Sequence, residues 1–365
     1  MRILFVTRKY PPSTGGMENA AYELYMALVA NKDNDVTLVK WGGANKYLPV
    51  VYPRLFAQAL MYGVRKRPDV LYMQDGIMAP MGWALKLLLR RPTLLTIHGK
   101  EVTYANPIYK MLVPPFVHLQ SLLVAVSNDT KQNVQEALQG TDPLVIINGV
   151  SDSFHVPNQR EARLTMVANA VGMSVAELRK HKLIHTNGRL VRRKGVLWFV
   201  DQVMPTLVQK QPVLYLVSGK GKDQEVIEAA ITNHGLQANV KLLGLVSDEL
   251  LRALYNVSDI FLMPNIPVVN DMEGLGLVAL EAASCGTTVV ASDLEGIPDA
   301  IVDGKNGVLV PPVDVKKYIE VVVRELAKPS LKPEAVRKFT LDNYAWTKRA
   351  REYEAAMQGL IERRK

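Results

Sequence analysis

Short runs of β-branched and aliphatic residues, most of them apolar throughout and separated by stretches with helical periodicity, recur along the whole chain. In the first half they read RILFV, VTLVK, VLYM, TLLTI, LLVAV and LVII; in the second, LIHTN, VLYLV, VKLL, DIFLM and TTVVA. A strand that is apolar on both faces must be covered on both faces. Alternation with helices therefore predicts parallel sheets sandwiched between helical layers, an α/β doubly wound architecture. Two such series in tandem predict two Rossmann-like domains. Ligands would sit at the carboxyl ends of their strands, in a central cleft that the two sheets face. With 365 residues, 48% of them apolar, the chain is long enough for two cores.

Composition excludes several other classes. The single cysteine, Cys285, rules out an internal disulfide and fits a reducing cytoplasm, and no Cys/His cluster has zinc spacing. The opening MRILFVTRKY reads as a strand, since its apolar run is too short for a signal-peptide core. No apolar run approaches the roughly 20 residues that a membrane-spanning helix needs. The formal net charge is +9, and nearly all of the surplus lies in residues 1–182. That asymmetry predicts either an anionic partner for the first half or a solvated basic face.

The stretch 271–292, DMEGLGLVALEAASCGTTVVAS, holds the most unusual charges. Glu273 and Glu281 flank seven residues that are all glycine or aliphatic, and Glu281 lies inside an apolar helical run. A glutamate in such a place needs a partner or a ligand. Gly274 and Gly276 permit close backbone approach, and the free amides of the helix start that follows suit a phosphate or an oxygen-rich ligand. Glu273 could accept hydrogen bonds from sugar hydroxyls, and Glu281 from ribose hydroxyls. The plainer reading is a buried helix whose carboxylate pairs with an arginine or an amide.

Other candidates stand at strand ends. HTNGRLVRRKG runs from a strand into Gly188 and Arg189, then Lys194 and Gly195; two cations so spaced can clamp a diphosphate, or they form a basic surface turn. TRKYPPSTGGMEN places Gly15 and Gly16 at a helix start, with Arg8 and Lys9 nearby. TLLTIHGKE ends a strand at His98 and Glu101, and LLVAVSNDT ends one at Ser127, which a helix cap would also explain. Asp33-Asn34-Asp35 has the spacing of a metal-binding triplet, but it precedes a strand and so lies at the wrong end of the sheet. No metal site is predicted.

From EGLGLVALEAASCG through GKNGVLVPP, and with GR…KG before it, the sequence resembles the retaining GT-B glycosyltransferases of family four, whose signature is Glu, seven residues, Glu. It departs from that pattern at Leu275 and Thr288, where the family often has Phe and Pro; neither departure removes a charge. The resemblance runs from about Pro11 to Tyr353. It implies that Glu273 and His98 contact the transferred sugar, that Arg189 and Lys194 bind the donor phosphates, and that Glu281 binds ribose. It further implies that backbone at Gly15, Gly16, Gly188, Gly219, Gly244, Val246, Gly274, Leu275, Gly276 and Leu277 lines the donor site. Lys9, Glu101 and Ser127 are assigned to the acceptor. Domains are placed at 1–157 and 158–345, with 346–365 as a helix crossing back to the first.

The resulting expectation is a hexosyltransferase, metal-independent and retaining, that uses no cofactor. Its co-substrate is a nucleotide-diphosphate sugar. Similarity to phosphatidylinositol mannosyltransferases points to GDP-mannose and a lipid or lipid-linked acceptor, with a UDP-sugar and a soluble glycan as the alternative. A GT-B epimerase or hydrolase would need an acid/base pair, which His98 and Glu101 could supply. A nucleic-acid-binding protein is disfavoured by 7% aromatic content and the lack of a recognition motif. Helical segments 54–67 and 83–91 end in basic clusters and carry Phe56 and Trp83, which suits a peripheral place on an anionic membrane surface at the inner face of the cell membrane.

Overall fold

The computed structural model describes residues 1–363 apart from 14, 100–106 and 156–158. Glu101 therefore lies outside the described residues. The chain divides into two compact units, Met1–Gly149 with Tyr344–Lys365, and Val150–Asn343. The sequence had suggested divisions at 157 and 345.

The first unit contains β1 (Arg2–Thr7), β2 (Asp35–Lys40), β3 (Val70–Met73), β4 (Thr93–Ile97), β5 (Leu122–Ala125) and β6 (Leu144–Val145). They form one sheet in the order β2-β1-β3-β4-β5-β6, parallel at every pairing. Chain order reverses between β1 and β3. One face packs on helices Leu48–Lys66 and Ala79–Leu89, burying Leu4, Val6, Leu71, Met73, Leu95 and Ile97 with Leu55 and Leu85. The closing helix Trp346–Glu362 is held to the same unit by Tyr353, whose ring meets Tyr72 at 5.6 Å and whose hydroxyl lies 3.3 Å from that of Thr96. The amides of Asn31 and Asn34 anchor it further by donating to Glu354.

The second unit contains β7 (Lys182–Asn187), β8 (Val213–Ser218), β9 (Val240–Gly244), β10 (Ile260–Met263), β11 (Thr288–Ser292) and β12 (Val308–Val310). Their order is β12-β11-β10-β7-β8-β9, again all parallel. Strand β8 shows why its sequence is apolar throughout. Val213, Tyr215 and Val217 enter one core with Phe199 and Leu207, while Leu214 and Leu216 enter another with Leu254 and Val167. Alternate side chains leave opposite faces, and both faces are covered. Chain order reverses between β7 and β10, so a ligand crevice is expected beyond the carboxyl ends of those two strands.

Two expectations need amendment. β12 was not foreseen, because three residues carry too little periodicity to register. Phe56 and Trp83 turn inward, Phe56 against the core and Trp83 against Phe116 at 5.1 Å between rings. The exposed apolar side chains of those helices are Val50, Met61, Val64, Leu87 and Leu88. Among the described residues, no helix is long and apolar enough to cross a membrane.

Candidate active site at a switch point

Beyond β7 the backbone turns through Gly188, with a φ of 149°, and Arg189, passes a short 3-10 turn at Arg192–Lys194, and enters helix Val196–Gln202 at Gly195. Gly195 has a φ of 67°, and a Cβ there would stand 1.7 Å from the carbonyl oxygen of Pro264, just past β10. Only glycine lets the two loops close on each other. Gly219, after β8, plays the same part: its φ is 123° and a Cβ would meet the Gly188 oxygen at 1.8 Å. Its amide donates to the carbonyl of Gly244 at the end of β9. Three successive strand ends are thereby layered tightly, and the loops after β7 and β10 meet at the order reversal.

At that meeting point lies a compact set of charges. Arg193 donates from Nη1 to Oε2 of Glu273 at 2.5 Å and from Nε to Oδ1 of Asp271 at 3.0 Å. Lys194 Nζ lies 2.6 Å from the same Glu273 oxygen, and Asn265 Nδ2 donates to it at 3.2 Å. The side chains of Arg193, Lys194 and Glu273 are 8%, 11% and 12% exposed. Burial alone would raise the Glu273 carboxyl, but Lys194 and Arg193, with hydrogen bonds from Lys194 and Asn265, outweigh it and bring the group to about 2. Burial lowers the Lys194 ammonium, with Arg193 and Arg189 pressing the same way against the pull of Glu273. The Glu273 amide donates to the Glu295 carboxylate, fixing the loop from behind.

Helix Leu277–Ser284 begins at Gly276, which has a φ of 84° and no capping side chain, and a Cβ at Gly276 would press on Met263 at 2.8 Å. Leu275 before it is buried, and the Gly274 carbonyl lies against Gly296. Glu281, half-buried on this helix, accepts from the Tyr255 hydroxyl at 2.7 Å. Tyr255 in turn accepts from Asn187 Nδ2 at 3.1 Å; Asn187 Oδ1 accepts from Ser218 at 3.0 Å, and Ser218 lies 2.9 Å from His185 Nε2. This buried chain of hydrogen bonds links the end of β7 to the Glu281 carboxylate.

The predicted residues thus fall into distinct groups. Lys194 and Glu273 are in contact, and a Cβ on Gly188 would stand 3.5 Å from the Lys194 stem. Arg189 is exposed and makes no ion pair among the described residues. Lys194, expected on phosphate, is engaged by a carboxylate here. Val246 is half-buried beside Leu254 and Leu250. In the first unit, Lys9 pairs with Glu18 at 2.9 Å, and a Cβ on Gly15 would touch that carboxylate, so the helix starting at Gly16 carries its own anion in its first turn. His98, just past β4, has its Nε2 2.9 Å from the carbonyl of Gln74, just past β3. Ser127 is wholly buried and caps helix Asn128–Ala137 through the Thr130 amide, which accounts for it locally. Among the described residues no His, Cys, Asp and Glu gather as a metal site.

Sequence reasoning missed Arg193, Asn265, Tyr255 and Asn187. Asn187 and Asn265 had a usable signal, as polar residues at or just past the carboxyl ends of apolar strands. Two cavities of the second unit lie off this cluster: one of about 430 Å³ lined by Arg160, Lys182 and Pro212, and one of about 750 Å³ lined by Trp198, Lys222 and Ile266. Neither cavity is lined by Lys194, Glu273 or Glu281.

Residues 181–328 match the family described as glycosyl transferases group 1. An uncharacterized glycosyltransferase of Methanocaldococcus jannaschii is 26% identical, the match covering 98% of this chain and 99% of that protein. The GDP-mannose-dependent alpha-(1-6)-phosphatidylinositol monomannoside mannosyltransferase of Mycolicibacterium smegmatis is 25% identical over 99% of this chain and 100% of its own length. Among solved structures, Anabaena HepE in complex with UDP and glucose superposes with a TM-score of 0.74 at 18% identity, covering 98% and 100% of the two chains. Fold and comparisons together define a glycosyltransferase of the GT-B type. Its similarity to glycosyltransferases extends over nearly the whole chain, beyond the matched family segment.

Proposed function

We propose that the protein transfers mannose from GDP-mannose to a lipid or lipid-linked acceptor of the phosphatidylinositol type, with retention and without a metal. The observation that carries the reading is the meeting of Lys194 and Glu273 at the β7/β10 reversal, beside the uncapped start of helix Leu277–Ser284. As the glycosidic bond to phosphate breaks, negative charge grows on the leaving diphosphate. Arg189, Lys194 and the amides after Gly276 stabilise that charge as it develops. Glu273 orients the sugar through its hydroxyls and Glu281 holds the ribose. The leaving phosphate takes the acceptor proton, so no protein base is assigned. The choice of mannose and lipid rests on the similarity to the mycobacterial-type mannosyltransferase.

A UDP-sugar is the second reading, favoured by the UDP bound in the Anabaena neighbour. The N-terminal unit is assigned to the acceptor. Exposed Leu87 and Leu88 beside Arg90 and Arg91, with Val64 beside Arg65 and Arg67, would let it rest on anionic lipid. Calorimetry with GDP-mannose and a panel of UDP-sugars tests the donor, followed by Arg189→Ala and Glu281→Ala on whichever binds. Each substitution should weaken binding by at least about tenfold, or roughly 1.4 kcal/mol. A wild-type protein that binds no nucleotide sugar would refute the reading.

A further inference from the structure

Three donors converge on one carboxylate oxygen. Arg193 Nη1, Lys194 Nζ and Asn265 Nδ2 all reach Oε2 of Glu273, and none of the described contacts falls on Oε1. The two cations are differently built for this task. Arg193 is the more buried of the pair and has a second anchor on Asp271, so its planar fork is fixed at two points. Lys194 is a point charge on a flexible stem, and a Cβ on Gly188 would stand 3.5 Å from that stem, so the glycine leaves this side of it uncrowded. A diphosphate arriving at Lys194 must compete with Glu273 for it. If Lys194 alone held Glu273, donor binding would release the carboxylate.

We propose that Arg193 is a positioning residue: it pins Oε2 of Glu273 independently of Lys194, so that Lys194 can exchange this carboxylate for a donor phosphate while Oε1 stays available to the sugar. The inference rests on the donor site proposed above and assigns to it a partner exchange. The other groups facing Glu273 are accounted for. Asp271 is held by Arg193, Asn265 is neutral, Glu295 accepts from the Glu273 amide, and Arg189 acts on Lys194 through its charge.

The test is a double-mutant cycle on GDP affinity by calorimetry, with Arg193→Gln, Glu273→Gln and the pair. Removing Arg193 leaves Lys194 as the sole cation on Glu273 and makes the exchange costlier, so Arg193→Gln should weaken GDP about tenfold. With Glu273 also neutralised, Lys194 is free. The double variant should then return to within about threefold of Glu273→Gln, a strongly non-additive cycle. Arg193→Lys should recover part of the loss. A merely structural role for Arg193 predicts instead that the losses add and that the double variant binds worse than either single one; that result would overturn the proposal. A second arm needs no ligand: the Glu273 side-chain carboxyl, followed by carbon NMR in the ligand-free protein, should titrate upward by about one unit or more in Arg193→Gln. No movement there overturns it equally, and thermal melting excludes variants that fail to fold in favour of Arg193→Lys. Wild-type protein that binds neither GDP nor UDP defeats the donor reading itself, a result distinct from an additive cycle.

Discussion

Tyr255→Phe tests whether the buried hydrogen-bond chain behind Glu281 serves ligand binding. The hydroxyl to be removed is fully enclosed, donates to the Glu281 carboxylate at 2.7 Å and accepts from Asn187 at 3.1 Å. A hydrogen bond to a charged group contributes about 1.5–3 kcal/mol, and a buried donor left without an acceptor costs about 1–3 kcal/mol. Losing the first removes one constraint on the Glu281 carboxylate and lets it depart from the geometry that suits ribose. If roughly half of one such bond to ribose is forfeited, about 1 kcal/mol, GDP affinity falls about fivefold. Losing the second takes this acceptor from Asn187 Nδ2 and lowers stability by about 2 kcal/mol, which for a unit of this size moves Tm by about 4–8 °C. Calorimetry with GDP and with inorganic pyrophosphate, run in parallel, separates ribose from phosphate recognition. The expected result is a loss for GDP and none for pyrophosphate. GDP binding that is unchanged, or that falls in step with pyrophosphate, would refute the reasoning.

Gly195→Ala should destabilise by more than about 3 kcal/mol, because it combines left-handed backbone with a clash against the Pro264 carbonyl; a melting temperature close to wild type would show that the loops can part at little cost. His185 is fully buried, and burial lowers its imidazole from 6.5 to about 3. The unfolded chain therefore binds the extra proton first: this contribution is complete above about pH 6.5 and is lost as pH falls toward 3, at about 1.4 kcal/mol per unit. Urea titrations at several pH values should show that slope, and His185→Gln should flatten it. Sedimentation with vesicles containing phosphatidylserine should show binding that weakens with salt and with Leu87→Ser, whereas equal binding to phosphatidylcholine alone would contradict the proposed lipid contact.

The doubly wound architecture was legible because its cause is periodic. A strand covered on both faces must be apolar at every position, and β8 shows this with Tyr215 and Leu216 entering different cores. The glycines were legible for a related reason: at Gly195 and Gly219 the backbone approaches another backbone so closely that no other residue fits. Pairings were not legible. Arg192 and Arg193 are neighbours of identical type, yet Arg192 is exposed and Arg193 is among the most enclosed charges in the unit. What separates them is a third of a turn of 3-10 helix and a loop that returns some eighty residues later with Asp271 and Glu273. Glu281 illustrates the same limit from the other side. Its apolar surroundings announced that a partner was needed, but a partner it finds, Tyr255, lies on helix Asp248–Val257 in a sequence that reads as ordinary amphipathic packing. A charge in an apolar run can thus reveal that a bond must exist, whereas the tertiary register decides with whom. The two carboxylates of the signature consequently acquire different physics: Glu273 is set by two cations on one oxygen, and Glu281 by a neutral hydroxyl at the end of a buried relay. The first should respond to nearby charge substitutions and the second to isosteric loss of a hydrogen bond, which is why the variants that probe them differ in kind.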